Sequence, residues 1–153
     1  MHRYLILIIL AVAPISECRG AIIYGLSSGL SPLVFFPLVI LFNIFTIFPL
    51  FWFLKKAGVR RVVYRILGER ITKLILENRE RLEKYEELAL LLFVAIPFPG
   101  TGAWTGSIIA SVLSMKPRKS KLIIAIGILM AGAVVFLSAY GVSSAITGLI
   151  NLI

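Results

Sequence analysis

Residues 96–106, IPFPGTGAWTG, decide the fold of this chain because they interrupt an apolar region near its middle. The stretch holds two prolines and three glycines, which disfavour a continuous helix. The unbroken arms on either side have only about ten to fifteen residues, so each reaches about 15–20 Å. A helix of that length cannot cross a hydrocarbon core of about 30 Å. The interruption therefore predicts a re-entrant hairpin over residues 88–115.

The composition indicates a membrane protein. The chain has 153 residues, of which 59% are hydrophobic and 15% charged, and its mean hydropathy is +1.00. Residues 33–54 carry no charge at all. The length predicts a single membrane domain, residues 1–153. The net charge of +9 comes from basic residues that flank apolar regions. This placement indicates contact with anionic lipid headgroups and excludes nucleic acid as the expected partner.

Catalytic residues are scarce. The chain has no aspartate and one histidine, and it has neither a phosphate-binding loop motif nor a Ser-His-acid set. A single cysteine excludes an internal disulfide and a multi-cysteine metal site. We therefore expect no enzymatic activity, no cofactor and no metal.

The N-terminal segment is similar to a signal peptide, with a basic start and an apolar core. Cleavage after Ala13 would leave Pro14 as the first residue, so we expect this segment to stay in the mature protein.

The apolar regions divide the chain into two comparable halves. Region 4–30 is interrupted by APISECRGA, much as region 88–115 is interrupted by IPFPGTGA. The predicted order is hairpin 4–30, transmembrane helix 33–54, amphipathic linker helix 55–87, hairpin 88–115, transmembrane helix 121–140, and a short interfacial tail 141–153.

The basic residues predict the topology. Ten Lys and Arg lie in linker 55–87 and four lie in loop 116–121, so these two segments hold fourteen of the sixteen. If region 88–115 crossed the membrane, the two clusters would face opposite sides, against the positive-inside rule. A hairpin keeps both in the cytoplasm. We therefore expect a multi-pass protein of the cell membrane with both termini outside.

The two halves also predict an internal repeat. RGAI, around Gly20, and TGAW, around Gly102, share a Gly-Ala pair, and Asn43 and Gly127 fall at nearly the same offset from them. Since the halves have opposite predicted topology, the expected fold is an all-α integral membrane protein with an inverted repeat, as in many secondary transporters.

Two motifs carry a resemblance to a known family. PISECRGAI (14–22) and PFPGTGAWTGSIIA (97–110), each followed by one long apolar helix, resemble the small multidrug export family, which is grouped with the DedA/VTT membrane proteins. The resemblance covers nearly the whole chain; Cys18 departs from it, because leucine is expected there. It implies two re-entrant hairpins that meet near the membrane centre. It also implies transport of amphiphiles, such as polyprenyl phosphates or phospholipids, with proton coupling.

The resemblance and the charges select the same candidate residues. The resemblance places Glu17 and Arg19 in the first motif. In the second motif it selects five residues: Pro97, Pro99, Gly100, Thr101 and Gly102. Glu17 and Arg19 are the only charges inside the apolar regions between Tyr4 and Ser114. An ionisable residue at a helix centre costs about 2.5–3.5 kcal/mol on insertion scales, which favours a functional role. The alternative is that both lie at headgroup level or only hold the hairpin together. Residues i and i+2 lie on nearly opposite helix faces, so we expect each to meet a different partner.

The arm that begins at Thr101 offers a second kind of site. A helix that starts inside the membrane has free N–H groups, which attract anions. The Thr101 hydroxyl can add a hydrogen bond, and Trp104 either stacks on a substrate or anchors the arm. Gly102 and Gly106 are spaced to let two helices approach closely. Asn43 is a further candidate, although a hydrogen bond to a hairpin backbone is its more natural role.

Three functions remain open at this stage. The first is a flippase-like transporter in which Arg19 and the amides of residues 100–102 hold a phosphate and Glu17 takes a proton. The second is an exporter of cationic compounds, in which Glu17 binds cation and proton in turn. The third is a membrane scaffold that transports nothing. A homodimer is expected because so small a chain leaves much hairpin surface uncovered.

Overall fold

The computed structural model describes residues 2–56, 65, 79–98 and 100–150. Within these residues the chain forms helices and no strands, which confirms the predicted all-α class. The six helices are α1 (His2–Val12), α2 (Glu17–Ser27), α3 (Pro32–Lys56), α4 (Arg79–Ala95), α5 (Ala103–Val112) and α6 (Pro117–Ile150).

Two helices, α3 and α6, are long and apolar enough to cross a membrane. The qualifying segments are Pro32–Lys55 and Pro117–Val142, with mean hydropathies of 2.4 and 2.7. At 1.5 Å per residue each exceeds the roughly 30 Å of a hydrocarbon core. Both helices begin with proline, whose fixed φ and missing N–H suit the first turn. The long helices predicted at 33–54 and 121–140 are therefore present.

The predicted ends of the last helix are wrong. Because Pro117 starts α6, loop 116–121 is mostly its first turn. At the other end α6 continues without a break to Ile150, so residues 141–150 of the predicted tail extend this helix. No proline follows Pro117, and a helix continues until some residue stops it. Residues 151–153 lie outside the described part of the chain.

The first apolar region is interrupted as predicted. Helix α1 ends at Val12 and α2 begins at Glu17, and each has 11 residues. Arg3 Nη1, in the first turn of α1, donates to the Ser28 carbonyl just after α2, over 3.0 Å. The two arms pack together and return to the same end, so residues 4–30 form a helical hairpin.

The second interruption is also present, between α4 and α5. Lys119 Nζ, just after this region, lies 2.8 Å from Glu87 Oε1, so the chain again returns towards the end from which it came. Helix α4 starts at Arg79 and not at residue 88, which corrects the predicted hairpin boundary. Residues 79–87 contain mainly Arg, Glu, Leu and Lys, which favour helix. Apart from residue 65, the rest of the predicted linker helix, 57–78, lies outside the described residues.

The most extensive helix–helix contacts are the same in the two halves of the chain: each contact of a helix in one half has a counterpart in the other half. Within the halves, α1–α2 corresponds to α4–α5, α1–α3 to α4–α6, and α2–α3 to α5–α6. Between the halves, α2 packs on α6, α5 packs on α3, and α3 and α6 pack on each other. The second arm of each hairpin therefore lies against the long helix of the other half.

The core lies where the two halves meet. Fully buried apolar side chains come from α1 to α6, among them Leu7, Ile22, Phe35, Val94 and Ile128. Large apolar side chains also cover the outside of the long helices: Phe45 is 66% exposed and Leu137 68% exposed. A surface of this kind fits an apolar solvent, since monomeric proteins in water rarely expose large apolar patches.

Candidate functional site

The two helix interruptions face each other, and Arg19 joins them. Its Nη1 donates to the Phe98 carbonyl over 2.5 Å. Its Nη2 donates to Thr101 Oγ1 over 2.9 Å and to the Ile96 carbonyl over 3.3 Å. The planar fork of arginine suits several acceptors at once. These carbonyls follow the last turn of α4, where the helix dipole is negative. Arg19 thus binds the end of the first arm of the second hairpin.

Glu17 binds the start of the second arm of the same hairpin. Its side chain is only 4% exposed, and its Oε1 accepts a hydrogen bond from the Trp104 N–H over 3.2 Å. Trp104 is the second residue of α5, so the carboxylate lies at the positive end of that helix. Glu17 and Arg19 therefore meet different partners, as the sequence predicted, and both partners belong to the second hairpin.

Gly102 makes the approach of Glu17 possible. A Cβ atom on Gly102 would overlap Oε2 of the Glu17 carboxylate. Gly102 precedes α5 and has a φ of 156°, a backbone conformation that residues other than glycine rarely adopt. Glu17 itself has a φ of 46°, which is uncommon for a non-glycine residue. The backbone at both residues is thus shaped to bring the carboxylate to the helix start.

The remaining residues of the second interruption form a closed turn. The Thr101 hydroxyl lies 2.7 Å from the Ile96 carbonyl and 2.9 Å from the Phe98 carbonyl, while it accepts from Arg19. Gly100 has a φ of 88° and no neighbour within 4 Å of its would-be Cβ, so it supplies the backbone conformation and leaves open space. Pro97 is exposed beside a groove between α2 and α6. Pro99 lies outside the described residues.

Trp104 and Asn43 both hold the C-terminal end of α1. Trp104 Nε1 donates to the Val12 carbonyl over 3.0 Å, so the indole anchors the arm. Asn43 is 1% exposed, and its Nδ2 donates to the Ala11 carbonyl over 2.7 Å. The expectation that Asn43 bonds a hairpin backbone is confirmed. Both carbonyls belong to the last turn of a helix, where partners are otherwise missing.

The positions of Asn43 and Gly127 correspond in space as well as in sequence. Asn43, on α3, contacts the last turn of α1. A Cβ on Gly127, on α6, would lie 2.7 Å from Val94 Cβ and 3.4 Å from the Ala95 nitrogen, in the last turn of α4. Each residue thus meets the first arm of the hairpin in its own half.

Several contributors were not identified from the sequence. The Ser16 hydroxyl donates to the Leu10 carbonyl over 2.7 Å and closes the first interruption. The carbonyls of Ile96 and Phe98 bind Arg19, but backbone groups carry no sequence signal. Thr105 Oγ1, in the first turn of α5, is buried without a partner among the described residues, as are Glu17 Oε2 and Asn43 Oδ1. Thr105 carried no distinguishing sequence signal, because Ser107 and Ser111 place further hydroxyls on the same helix.

The comparison with known proteins agrees with this geometry. The family described as "Putative small multi-drug export protein" matches residues 17–134. The chain belongs to that family. The match begins at Glu17, includes the other candidate residues and extends into α6. No curated protein and no solved structure matches the chain significantly. The family and the two long apolar helices together identify a membrane protein, and the family description points to export.

Proposed function

We propose that this protein is a proton-coupled transporter that moves an anionic amphiphile, such as a polyprenyl phosphate or a phospholipid, across the cell membrane together with protons. The observation that carries this proposal is the Glu17 carboxylate at the start of α5, beside the Arg19 guanidinium. The Glu17 carboxylate is itself an anion, and it already occupies the N-terminus of α5. The wider DedA/VTT grouping, which rests on the motif resemblance, forms part of the proposal.

The proposed membrane arrangement is an inverted repeat of two re-entrant hairpins. The short arms, the exchange symmetry of the helix contacts and the Asn43–Gly127 correspondence support it. In this arrangement residues 55–87 and 116–121 are cytoplasmic, and both termini are outside. The two interruptions then meet near the middle of the membrane. Irregular backbone is tolerated at that depth when it is buried in protein or lines a cavity.

The coupling of substrate to protons follows from the place that Glu17 occupies. The N–H groups at the start of α5 can bind the Glu17 carboxylate or a substrate phosphate, but they cannot bind both well. Protonation removes the charge of Glu17 and weakens its attraction to the helix start. A phosphate can then take its place and also bind Arg19, whose fork suits phosphate oxygens. Substrate and proton would therefore bind together and leave together.

Export of cationic compounds is the second candidate, because the family description names drug export. In that mechanism Glu17 binds the cation. The surroundings of Glu17 disfavour it, since a helix N-terminus and Arg19 both repel a cation. A scaffold without transport is the third candidate, because hydrogen bonds of Glu17 and Arg19 also join the two hairpins.

The test is transport by purified protein in lipid vesicles. Wild-type protein should move a fluorescent polyprenyl phosphate or phospholipid faster as the pH falls, since protonation of Glu17 frees the site. Arg19→Gln should slow this transport about tenfold or more, because hydrogen bonds to charged groups contribute about 1.5–3 kcal/mol. Glu17→Gln should remove the pH dependence.

Arg3→Gln is the matched control. Arg3 also donates to a backbone carbonyl of the first hairpin, at the end remote from the interruption. It should leave lipid transport unchanged. Cation transport that survives Arg19→Gln and is abolished by Glu17→Gln would establish the drug exporter instead. Wild-type vesicles that transport neither class of compound would favour the scaffold.

A further inference from the structure

A groove lies between α2 and α6 in the described part of the chain. It has a volume of about 710 Å³ and opens on the outside of the molecule. Helix α2 contributes Ile23 and Leu26, and α6 contributes Val134 and Val142. Ligand sites typically have volumes of about 300–1,000 Å³ and mostly apolar walls. The size and the lining thus suit a small amphiphile.

The hydroxyls in the described lining of the groove are already hydrogen-bonded within the protein. Among the described residues, the hydroxyls that line the groove belong to Ser27 and Ser138. Ser27 Oγ donates to the Tyr24 carbonyl over 3.0 Å, and Ser138 Oγ donates to the Val134 carbonyl over 2.8 Å. None of the described residues that line the groove has a charged or aromatic side chain. A cationic aromatic compound would find neither a carboxylate nor a ring to stack on, whereas a hydrocarbon chain requires neither.

One end of the groove adjoins the site of Arg19. Pro97 lines the groove, and its two neighbours, Ile96 and Phe98, supply the carbonyls that accept from the Arg19 guanidinium. An amphiphile with a phosphate at Arg19 can therefore extend an apolar chain along α2 and α6. The positive charge at one end and the uncharged walls elsewhere complement such a molecule.

We infer that this groove binds the hydrocarbon chain of the transported amphiphile. This inference rests on the proposed function for the identity of the headgroup, and it assigns the apolar half of the substrate to α2 and α6. The occupant is an alkyl or isoprenoid chain, and its contact with the groove needs no hydrogen bond. The long chain would then select lipids over small water-soluble anions.

Photolabelling in phosphatidylcholine vesicles tests the inference. The first probe is hexadecyl phosphate with a diazirine at the middle of the chain, and the second is the matching hexadecanol. Both should label peptides of α2 and α6 at groove residues such as Leu26 and Val134. Ala139→Phe places a ring in the groove and should lower this labelling about tenfold, since an overfilled site tolerates little extra volume.

Two further variants keep the test decisive. Leu137→Phe adds the same ring on the 68% exposed side of α6 and should leave groove labelling unchanged. Val142→Trp obstructs the groove at a residue that is 61% exposed, so it reduces labelling with little risk to folding. Equal labelling around the outer faces of α3 and α6, unaffected by either groove variant, would overturn the inference.

The two probes separate this inference from the proposed function. Arg19→Gln should reduce labelling by the phosphate and spare labelling by the alcohol. If both probes label the groove equally and Arg19→Gln changes neither, the chain site stands and the anion site is refuted. If the phosphate is transported but neither probe labels the groove, the proposed function stands and this inference is refuted.

Discussion

The two helix interruptions solve the same problem with different chemistry. The first has four residues, 13–16, and the chain continues directly into Glu17 and Arg19, which carry opposite charges. The second has seven residues, 96–102, without any charge, and it offers carbonyls after α4 and N–H groups before α5. The helix that follows the first interruption supplies charged side chains, and the helix ends on both sides of the second interruption supply backbone dipoles.

This difference shows how polar groups become stable in an apolar molecule. Glu17 is bound at the positive end of α5, and Arg19 is bound by carbonyls that follow α4. Each charge meets the helix end of opposite sign, so neither requires a salt bridge. The interruptions are therefore complementary, and each leaves polar groups unsatisfied without the other.

The strongest way to break this complementarity is Gly102→Ala. The new Cβ overlaps the Glu17 carboxylate and should displace it from α5. We expect a loss of about 3 kcal/mol or more, because overfilled sites cost about 1–3 kcal/mol and here a charge also loses its partner. Thermal unfolding in detergent measures the loss.

Gly100→Ala is the matched control in the same turn. The space around Gly100 is open, so this change should cost only about 1–2 kcal/mol, because alanine disfavours the left-handed backbone. Equal losses for the two variants would contradict the role of Glu17 at Gly102.

Arg19→Lys tests whether the other charge acts through its geometry. Lysine keeps the charge but cannot contact Phe98, Ile96 and Thr101 with one planar group. We expect a loss of about 2 kcal/mol in the free energy of unfolding. A double-mutant cycle with Thr101→Val should give a coupling energy of about 0.5–3 kcal/mol. Additive effects of the two changes would show that Arg19 and Thr101 do not interact.

Gly127→Ala probes the correspondence between the two halves. Its Cβ would contact Val94 within 2.7–2.8 Å, so it should destabilise the protein by about 1–3 kcal/mol. Val94→Gly removes both the Cβ and the Cγ1 atoms that the new Cβ would overlap, so it should restore part of that loss, although alone it is destabilising. Gly141→Ala, on the same helix with nothing within 4 Å, is the control and should not destabilise the protein. Unfolding curves that show no rescue would place the crowding elsewhere.

Trp104→Phe should have the smallest effect. It removes the hydrogen bond to the Val12 carbonyl and keeps most of the ring, so we expect a loss of about 0.5–1.5 kcal/mol in the free energy of unfolding, measured by thermal unfolding in detergent.

Trp104 and Trp52 are the only tryptophans, so the fluorescence of Trp52→Phe protein reports Trp104 alone. That signal should shift when Glu17 is changed to Gln. An unchanged spectrum would indicate that the indole does not sense the carboxylate.

Much of this fold follows from the sequence because the strong signals are local. Proline, glycine and charge mark the two interruptions, and long uncharged runs mark α3 and α6. The boundary errors arose where such signals are weak: α4 begins at Arg79 because its charged residues also favour helix, and α6 passes Gly141 because one glycine does not stop it.

The sequence singled out candidate residues but could not predict the contacts between them. The sequence singled out Glu17, Arg19 and Asn43 because a polar side chain in an apolar region requires a reason. It could not show that Glu17 fills the very helix start that was expected to bind substrate. That fact depends on a contact between residues 87 positions apart and on a missing side chain at Gly102.

The separation of Glu17 from Trp104 also has a consequence for biosynthesis. A ribosome adds about 5–20 residues per second, so the first hairpin exists for several seconds before its partner emerges. During that time the carboxylate and the guanidinium have no helix ends to bind. In the proposed membrane arrangement, nascent chains that stop short of α5 should therefore keep their first hairpin in contact with water or the insertion machinery. This hairpin should enter the lipid only after residue 104 has been made.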